Sequence, residues 1–206
     1  MSTKRWTRGL VAFTLGIVAT PILAGQGPAP ARPQSDLAAG FKEFSDRVQE
    51  YLKLQKTVES SLPTLTSTDL PEAIVAHQQV LARKIREARP AAKAGDLFTP
   101  AACEAFRRAS QAALEGPDKA RSLWYMQPGA PDPLMRLVVN QTYPDTEPIT
   151  SLSPQLLAAF PALSAEVAYR VVDRALILVD VRSGLIIDVA RLILPASLSN
   201  HRAQLR

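Results

Sequence analysis

The chain has 206 residues, of which 47% are hydrophobic, and this apolar fraction is too high for a wholly disordered protein. Its 24 Lys and Arg against 19 Asp and Glu give a formal net charge of +5, which raises the question of a nucleic-acid or anionic-membrane partner. A single cysteine excludes an intramolecular disulfide framework, and the two histidines argue against a zinc site built on several histidine ligands.

Residues 1–24 have the parts of a secretory signal peptide. Lys4, Arg5 and Arg8 precede an uncharged, largely apolar stretch that ends in small residues at Ala24. This stretch is short for a membrane span, which needs about 20 residues. We therefore expect Sec-type export with cleavage after Ala24, and a periplasmic or secreted protein without an integral span; an uncleaved anchor is the alternative. Cleavage would leave 21 basic against 19 acidic groups, which removes most of the signal for nucleic acid.

The next segments are a proline-rich tether and a helical region. Residues 25–34 carry three prolines and are predicted to be a disordered tether, and residues 35–116 are predicted to be helical. Apolar residues spaced by three and four predict a first helix that Pro63 stops. A second helix is predicted to start around 67–69 and to end before Pro90. The short connection predicts an antiparallel helical hairpin.

A third helix is predicted from Thr99 and Pro100, because Thr caps a helix well and Pro fits the first helical position. Its predicted end is at Gly116. The proline-rich segment 117–133 is predicted to be an irregular connection, with one turn of helix near 120–125.

A small antiparallel β region with one short helix is predicted over 134–195. An apolar, β-branched run predicts a strand within 134–143, and a Ser-Pro start predicts a short helix over 155–160. Residues 196–206 are predicted to be a polar tail. The expected fold class is α+β: an N-terminal antiparallel helical hairpin plus a third helix, packed with a C-terminal sheet of two consecutive hairpins.

The register of the two hairpins over 167–189 is predicted from the buried face. Three-residue loops at 173–175 and 182–184 would put Gly184 in the left-handed conformation and collect only apolar residues on one face. That predicted face consists of Val167, Tyr169, Val171, Ile177, Val179, Val181, Leu185, Ile187 and Val189.

Four stretches in the same order resemble a family of exported bacterial proteins of unknown function, and the resemblance covers roughly residues 36–195. The stretches are Leu97-Phe98-Thr99-Pro100 leading to Phe106-Arg107-Arg108, Val139-Asn140-Gln141-Thr142-Tyr143-Pro144, Leu156-Leu157-Ala158-Ala159-Phe160-Pro161, and Tyr169-Arg170-Val171-Val172 through Leu176-Ile177-Leu178-Val179-Asp180-Val181 to Leu185-Ile186-Ile187-Asp188. The resemblance implies a signal peptide and a C-terminal pair of hairpins, and it supplies no catalytic residues.

Three charged residues on the hairpins form the first candidate site. In the predicted register Arg170 lies diagonal to Asp180, and Asp188 lies diagonal to Asp180 on the other side. We expect a partly covered ion cluster that stabilises the sheet. The alternative is a hydrolase-like enzyme that uses the two carboxylates as an acid–base pair.

Basic and aromatic residues form the second candidate site. Arg83, Lys84, Arg86 and Arg89 lie at the end of the second predicted helix, where cations complement the helix dipole. These residues would also suit contact with an acidic envelope component. Trp124 would either fill the junction between helices and sheet or anchor a partner.

In the sequence, neither His77 nor Cys103 lies near the residues that catalysis or metal binding would require. His77 falls on the apolar stripe of the second helix, and Cys103 has neither a nearby histidine nor a second cysteine. We expect no cofactor, no metal and no nucleic-acid partner. The sequence predicts an exported envelope or periplasmic protein that acts as a non-enzymatic binding or structural module, with an envelope protein or an acidic envelope component as partner.

Overall fold

The computed structural model of the protein describes most of the chain beyond the predicted tether. The described residues are 33–63, 70–117, 119–126, 136–144, 146 and 150–195. The signal peptide predicted at 1–24, most of the tether predicted at 25–34 and the tail predicted at 196–206 lie outside them. Within the described ranges, no helix is both long enough and apolar enough to cross a bilayer.

Helices and one three-stranded antiparallel sheet make up the described part of the protein, which confirms the predicted α+β fold class. The helices are α1 (Pro33–Ser60), α2 (Pro71–Ala88), α3 (Pro100–Leu114), α4 (Lys119–Tyr125) and α5 (Pro154–Ala159). The strands are β1 (Val167–Val172), β2 (Ala175–Asp180) and β3 (Ile186–Ala190).

The first helix supplies the centre of the hydrophobic core. α1 buries Phe44, Val48 and Tyr51, which belong to its apolar stripe. α3 packs closely against α1 at Gly40, where an added Cβ atom would lie 2.6 Å from the carbonyl oxygen of Ala101. α1 and α3 therefore approach each other closely at Gly40, where a residue with a side chain would not fit.

Only the second half of α2 is buried. Pro71 occupies the first turn and the helix ends before Pro90, as predicted. Leu81, Ala82 and Ile85 are buried, whereas the first half of the helix is exposed or only partly covered. The capping residues predicted at 67–69 lie outside the described residues.

α2 runs back along α1, so the two helices form the predicted antiparallel hairpin. His77, in the first half of α2, lines the same cavity as Lys56 near the end of α1 and Pro63 just beyond it. Beyond the other end of α2, the Arg89 guanidinium carbon lies 5.1 Å from the centroid of the Tyr51 ring in the middle of α1.

Side-chain caps fix the starts of two further helices. The Thr99 hydroxyl accepts a hydrogen bond from the Ala102 N–H at 3.3 Å, which confirms the predicted start of α3. The Ser153 hydroxyl accepts one from the Leu156 N–H at 3.4 Å and caps α5. α4 corresponds to the turn of helix predicted near 120–125 within the proline-rich connection.

The predicted register of the first hairpin is wrong by one residue. Val172 pairs with Ala175, so Asp173 and Arg174 form a two-residue turn rather than part of a three-residue loop. Asp173 takes a φ of 53°, a left-handed conformation that Asp tolerates better than most residues. Because the side-chain period of a strand is two, this shift moves every β2 side chain to the opposite face from the predicted one.

The second hairpin is also connected differently, although its glycine behaves as predicted. The Asp180 N–H donates to the Leu185 carbonyl at 2.9 Å, which leaves residues 181–184 as the connection. Gly184 has a φ of 71°, the left-handed conformation expected for it. A bulge between the pairs at Leu178 and Val179 shifts the remaining register of β2 with β3.

Both faces of the sheet are apolar, which explains why alternation did not fix the register. Val167, Tyr169 and Val171 face the helices together with β2 residues of the opposite parity to those predicted, Leu176 and Leu178. A second, smaller cluster covers the other face and consists of Leu137, Tyr143, Val172, Ala175, Ile177, Ile186 and Val189, with Val139 and Val179 against it.

The strand predicted within 134–143 does not form in the described residues 136–144. Asn140 has a φ of 66°, which is incompatible with an extended strand and interrupts the run. The Asn140 N–H donates to the Ile186 carbonyl at 2.9 Å, and Thr142 makes a single bridge with Leu185. This segment therefore covers the outer edge of β3 without continuous pairing.

Candidate functional site

Asp180, at the end of β2, is fully buried, and its carboxylate accepts three hydrogen bonds from internal donors. The Tyr51 hydroxyl donates to Oδ2 at 2.5 Å. The N–H groups of Arg182 and Ser183 each donate to Oδ1 at 2.8 Å. The carboxylate thus joins α1 to the β2–β3 connection and closes that turn.

Asp188, in β3, is also fully buried and holds the connection between α2 and α3. Its Oδ2 accepts from the N–H groups of Leu97 and Phe98, both at 2.7 Å. Its Oδ1 accepts from the N–H groups of Gly95 at 2.9 Å and Val189 at 2.7 Å. Buried backbone donors require acceptors, so this carboxylate satisfies a loop that would otherwise leave several N–H groups unpaired.

Arg170 does not join these carboxylates, so the predicted ion cluster of Arg170, Asp180 and Asp188 is wrong. The two-residue turn puts Arg170 opposite Ile177, on the face of the sheet away from α1 and α3, whereas Asp180 pairs with Val167 on the face that packs against them. The Arg170 Nη1 donates to the Tyr169 carbonyl at 2.9 Å, and within the described ranges Arg170 makes no ion pair. The carboxylates are stabilised by hydroxyl and backbone donors instead.

The basic residues at the end of α2 lie in different surroundings. Arg83 and Lys84 both pair with Glu87, at 3.9 and 2.9 Å, and the hydrogen bond from Lys84 lowers the pKa of that carboxyl. Pairs of this kind on an exposed helix contribute little stability.

The other two arginines of this group, Arg86 and Arg89, differ in their surroundings. Arg89 lies over the Tyr51 ring, and its guanidinium is within 3.5 Å of the Asn140 side chain and the Ile187 carbonyl, so it is part of the packed structure. Arg86 is exposed, and among the described residues no carboxylate or carbonyl pairs with it. Arg86 is therefore available to a ligand, whereas Arg89 is not.

A cleft of about 370 Å³ lies between α2 and the outer face of the sheet, and it brings together three predicted site residues. Arg86 lines it from α2, Arg170 from β1 and Asp180 from the end of β2. The other lining residues are Val75, Gln78, Gln79, Ala82, Thr142, Tyr143, Ala168, Val179, Val181, Ser183 and Gly184. Asp188 is not among them, so the two carboxylates do not share this cleft.

One side of α2 provides the wall of the cleft. The wall consists of Val75, of Gln78 and Gln79 three and four residues later, and of Ala82 and Arg86 further along, a spacing that places side chains on one side of a helix. Sequence reasoning missed this wall because the main apolar stripe of α2 runs beside it. The available signal was Val75, an aliphatic residue that lies beside the apolar stripe of α2.

An exposed apolar surface adjoins the cleft at the start of α2. Leu70, Ile74 and Val75 have exposed fractions of 63%, 40% and 48%, and we call these three residues the α2 patch. Single exposed apolar residues are common on proteins, but neighbouring ones on one helix mark an interaction surface more often.

The remaining candidates offer no reactive group. The Cys103 thiol contacts the Phe98 carbonyl at 3.2 Å, and burial raises its pKa, which disfavours the nucleophilic thiolate. In the described part of the chain, no group of three or more His, Cys, Asp or Glu side chains could hold a metal ion. Trp124 lies in α4, but its side chain is outside the description.

Comparison with protein families, with curated proteins and with solved structures finds no match to this chain.

Proposed function

We propose that the protein is an exported, non-enzymatic binding module that docks a partner protein of the cell envelope at the α2 patch. The observation that carries this proposal is the contrast along α2: Leu81, Ala82 and Ile85 are buried in its second half, whereas Ile74 and Val75 are exposed in its first half. A helix that served only as core would bury the whole of its stripe. The exposed residues adjoin a cleft, which gives a partner a concave surface as well as an apolar one.

The hydrogen bonds of the two carboxylates favour binding over hydrolysis. A hydrolase of the alternative kind needs two carboxyl groups that face the same substrate cavity. Asp188 accepts four backbone hydrogen bonds and lies away from the cleft, while Asp180 accepts three and is fully buried. Both groups are therefore committed to holding the fold.

Export through the segment 1–24 is part of the same proposal, because an envelope partner requires that the two proteins meet outside the cytoplasm. The charged start, the apolar stretch and the small residues before Gly25 support it. Fractionation of cells that produce the full chain should place the protein in the periplasm or medium with Gly25 as its first residue. Cytoplasmic protein that retains Met1 would contradict export.

Photo-cross-linking tests the docking surface. A photoreactive residue at Val75 should cross-link to an envelope protein in intact cells, whereas the same residue at Leu157 in α5 should not. Leu157 is the matched control because it is an aliphatic helix residue with an exposed fraction of 50%. Ile74→Asp, which adds a charge beside the cross-linker, should abolish the product at Val75. Equal products from Val75 and Leu157, or a product that survives Ile74→Asp, would refute docking at the α2 patch.

A further inference from the structure

We propose that the cleft between α2 and the sheet binds an acidic, extended peptide, whose carboxylates pair with Arg86 and Arg170 and whose aliphatic side chains contact Val75 and Val181. This inference rests on the proposed binding function and adds the chemistry of the partner segment. The cleft is defined by the lining residues given above.

Charge is the first argument. Within the described part of α2, Arg83 and Lys84 already pair with Glu87, but Arg86 has no such partner. Arg170, which is half-buried, uses one donor on the Tyr169 carbonyl. A guanidinium has five N–H donors and suits carboxylates with two parallel bonds, so unused donors remain at both walls. Asp180 also lines the cleft, but it forms no ion pair with either arginine, and its oxygens accept hydrogen bonds from Tyr51 and the turn N–H groups.

Shape and polarity supply the second argument. The volume of about 370 Å³ lies within the range of sites that enclose ligands. Val75 and Val181 are exposed at 48% and 49%, which offers apolar contacts beside the charges. The exposed amides of Gln78 and Gln79 provide donors and acceptors that suit a peptide backbone.

The cleft is continuous with the α2 patch, and this continuity favours a peptide ligand over a lipid surface. Val75 belongs both to the cleft and to the α2 patch, so a ligand in the cleft extends naturally onto Ile74 and Leu70. A narrow chain can place a carboxylate beside the half-buried Arg170, whereas a planar array of lipid headgroups meets only outward-pointing cations such as Arg86.

The test measures fluorescence anisotropy of labelled octapeptides with the mature protein. The probes alternate Val with Glu, with Gln or with Lys. We expect the Glu peptide to bind about tenfold more tightly than the Gln peptide, to weaken as salt is added, and the Lys peptide to bind least. Arg86→Gln and Arg170→Gln should each weaken the Glu peptide about tenfold and leave the Gln peptide unchanged.

Arg83→Gln is the matched control, since it removes the same charge from the same helix at a residue that pairs with Glu87 and does not line the cleft. It should change the affinity by less than about twofold, as expected of a distant, screened charge. Thermal unfolding checks that each variant is folded. If Arg170→Gln does not fold, Arg170→Lys replaces it in the binding measurement, because lysine keeps the charge but lacks the planar guanidinium.

Three outcomes would overturn the inference: equal affinity for the Glu and Gln peptides, equal effects of Arg83→Gln and Arg86→Gln, or preference for the Lys peptide. If any of these occurs while cross-linking at Val75 still depends on Ile74, docking at the α2 patch stands and only its acidic chemistry fails. If the Val75 cross-link is also absent, the proposed function fails with it. Binding of anionic vesicles that is insensitive to Arg170→Gln but lost in Arg86→Gln would assign the cleft to a membrane surface instead.

Discussion

The hydroxyl of Tyr51 donates a hydrogen bond of 2.5 Å to Oδ2 of Asp180, which joins the middle of α1 to the last residue of β2. Both residues are buried, and Arg89 covers the Tyr51 ring from the end of the helical hairpin. This contact links helices and sheet through a charged group that has no ion-pair partner in the described part of the chain. The carboxylate is therefore stabilised by neutral donors, and loss of any one donor should be costly.

Tyr51→Phe should lower the free energy of unfolding by about 1.5–3 kcal/mol, because it removes a hydrogen bond to a buried charge and leaves the ring packing intact. Urea unfolding monitored by circular dichroism measures this loss. Tyr169→Phe removes a hydrogen bond of 3.1 Å to the neutral Pro161 carbonyl, and this comparison variant should lose less stability, about 0.5–1.5 kcal/mol. A Tyr51→Phe variant as stable as the unsubstituted protein would show that the Asp180 contact contributes nothing.

Stability should fall steeply in alkali. Burial, with the charge of Asp180 adding to it, raises the pKa of Tyr51 far above its ordinary value, and burial does the same for Tyr169. In the unfolded chain both phenols ionise near pH 10. Above about pH 10 the native state holds more protons than the unfolded state, so the stability contribution is complete below that pH and declines as the pH rises.

Each of these tyrosines should contribute a loss of about 1.4 kcal/mol per pH unit in that alkaline range. Urea unfolding in a pH series should therefore give Tyr51→Phe a shallower dependence than the unsubstituted protein by about that amount. Parallel curves for the two proteins would contradict the protonated, buried state of Tyr51.

Gly40→Ala should destabilise the protein although alanine favours helices. The added Cβ would lie 2.6 Å from the Ala101 carbonyl oxygen and 2.9 Å from the Ala105 Cβ, so α1 and α3 would have to separate. Overpacking of this kind costs about 1–3 kcal/mol. Gly116→Ala is the control, because nothing lies within 4 Å of its added Cβ. A stabilised Gly40→Ala variant would disprove the close approach of the two helices.

Two aspartate substitutions on α2 should show that Val75 contributes little to the stability of the fold, whereas Ala82 contributes much. Val75→Asp changes an exposed residue and should alter the free energy of unfolding by less than about 0.5 kcal/mol. Ala82→Asp introduces a charge at a buried position of the same helix and should cost about 3 kcal/mol or more. Thermal and urea unfolding measure both; similar losses would mean that Val75 is part of the core rather than of a docking surface.

The elements could be predicted from the sequence where caps and prolines mark them. Helix starts are predictable because a capping hydroxyl or a proline determines the backbone conformation of its nearest neighbours. The examples are Thr99 with Pro100, Ser153 with Pro154, and Pro71. Gly184 was identifiable for the same reason. The α+β class followed from the change of apolar period along the chain.

The register and the candidate site could not be predicted because they depend on contacts between distant segments. A sheet with two apolar faces accepts either register of β2, and the choice was made by a two-residue turn with Asp173 in a left-handed conformation. That register puts Arg170 opposite Ile177, so Arg170 forms no ion pair with Asp180 and lines the same cleft as Arg86. No local pattern couples those two arginines.

Urea unfolding of Asp188→Asn tests most directly whether the buried carboxylates hold the fold rather than perform chemistry. Asparagine offers one acceptor oxygen where the carboxylate accepts four backbone N–H groups, so two donors would lose their partner. We predict a loss of about 3 kcal/mol in the free energy of unfolding with Val75 cross-linking retained in the folded fraction. An unchanged free energy of unfolding, together with a cellular defect as severe as deletion, would contradict the structural role of Asp188 and favour the hydrolase alternative.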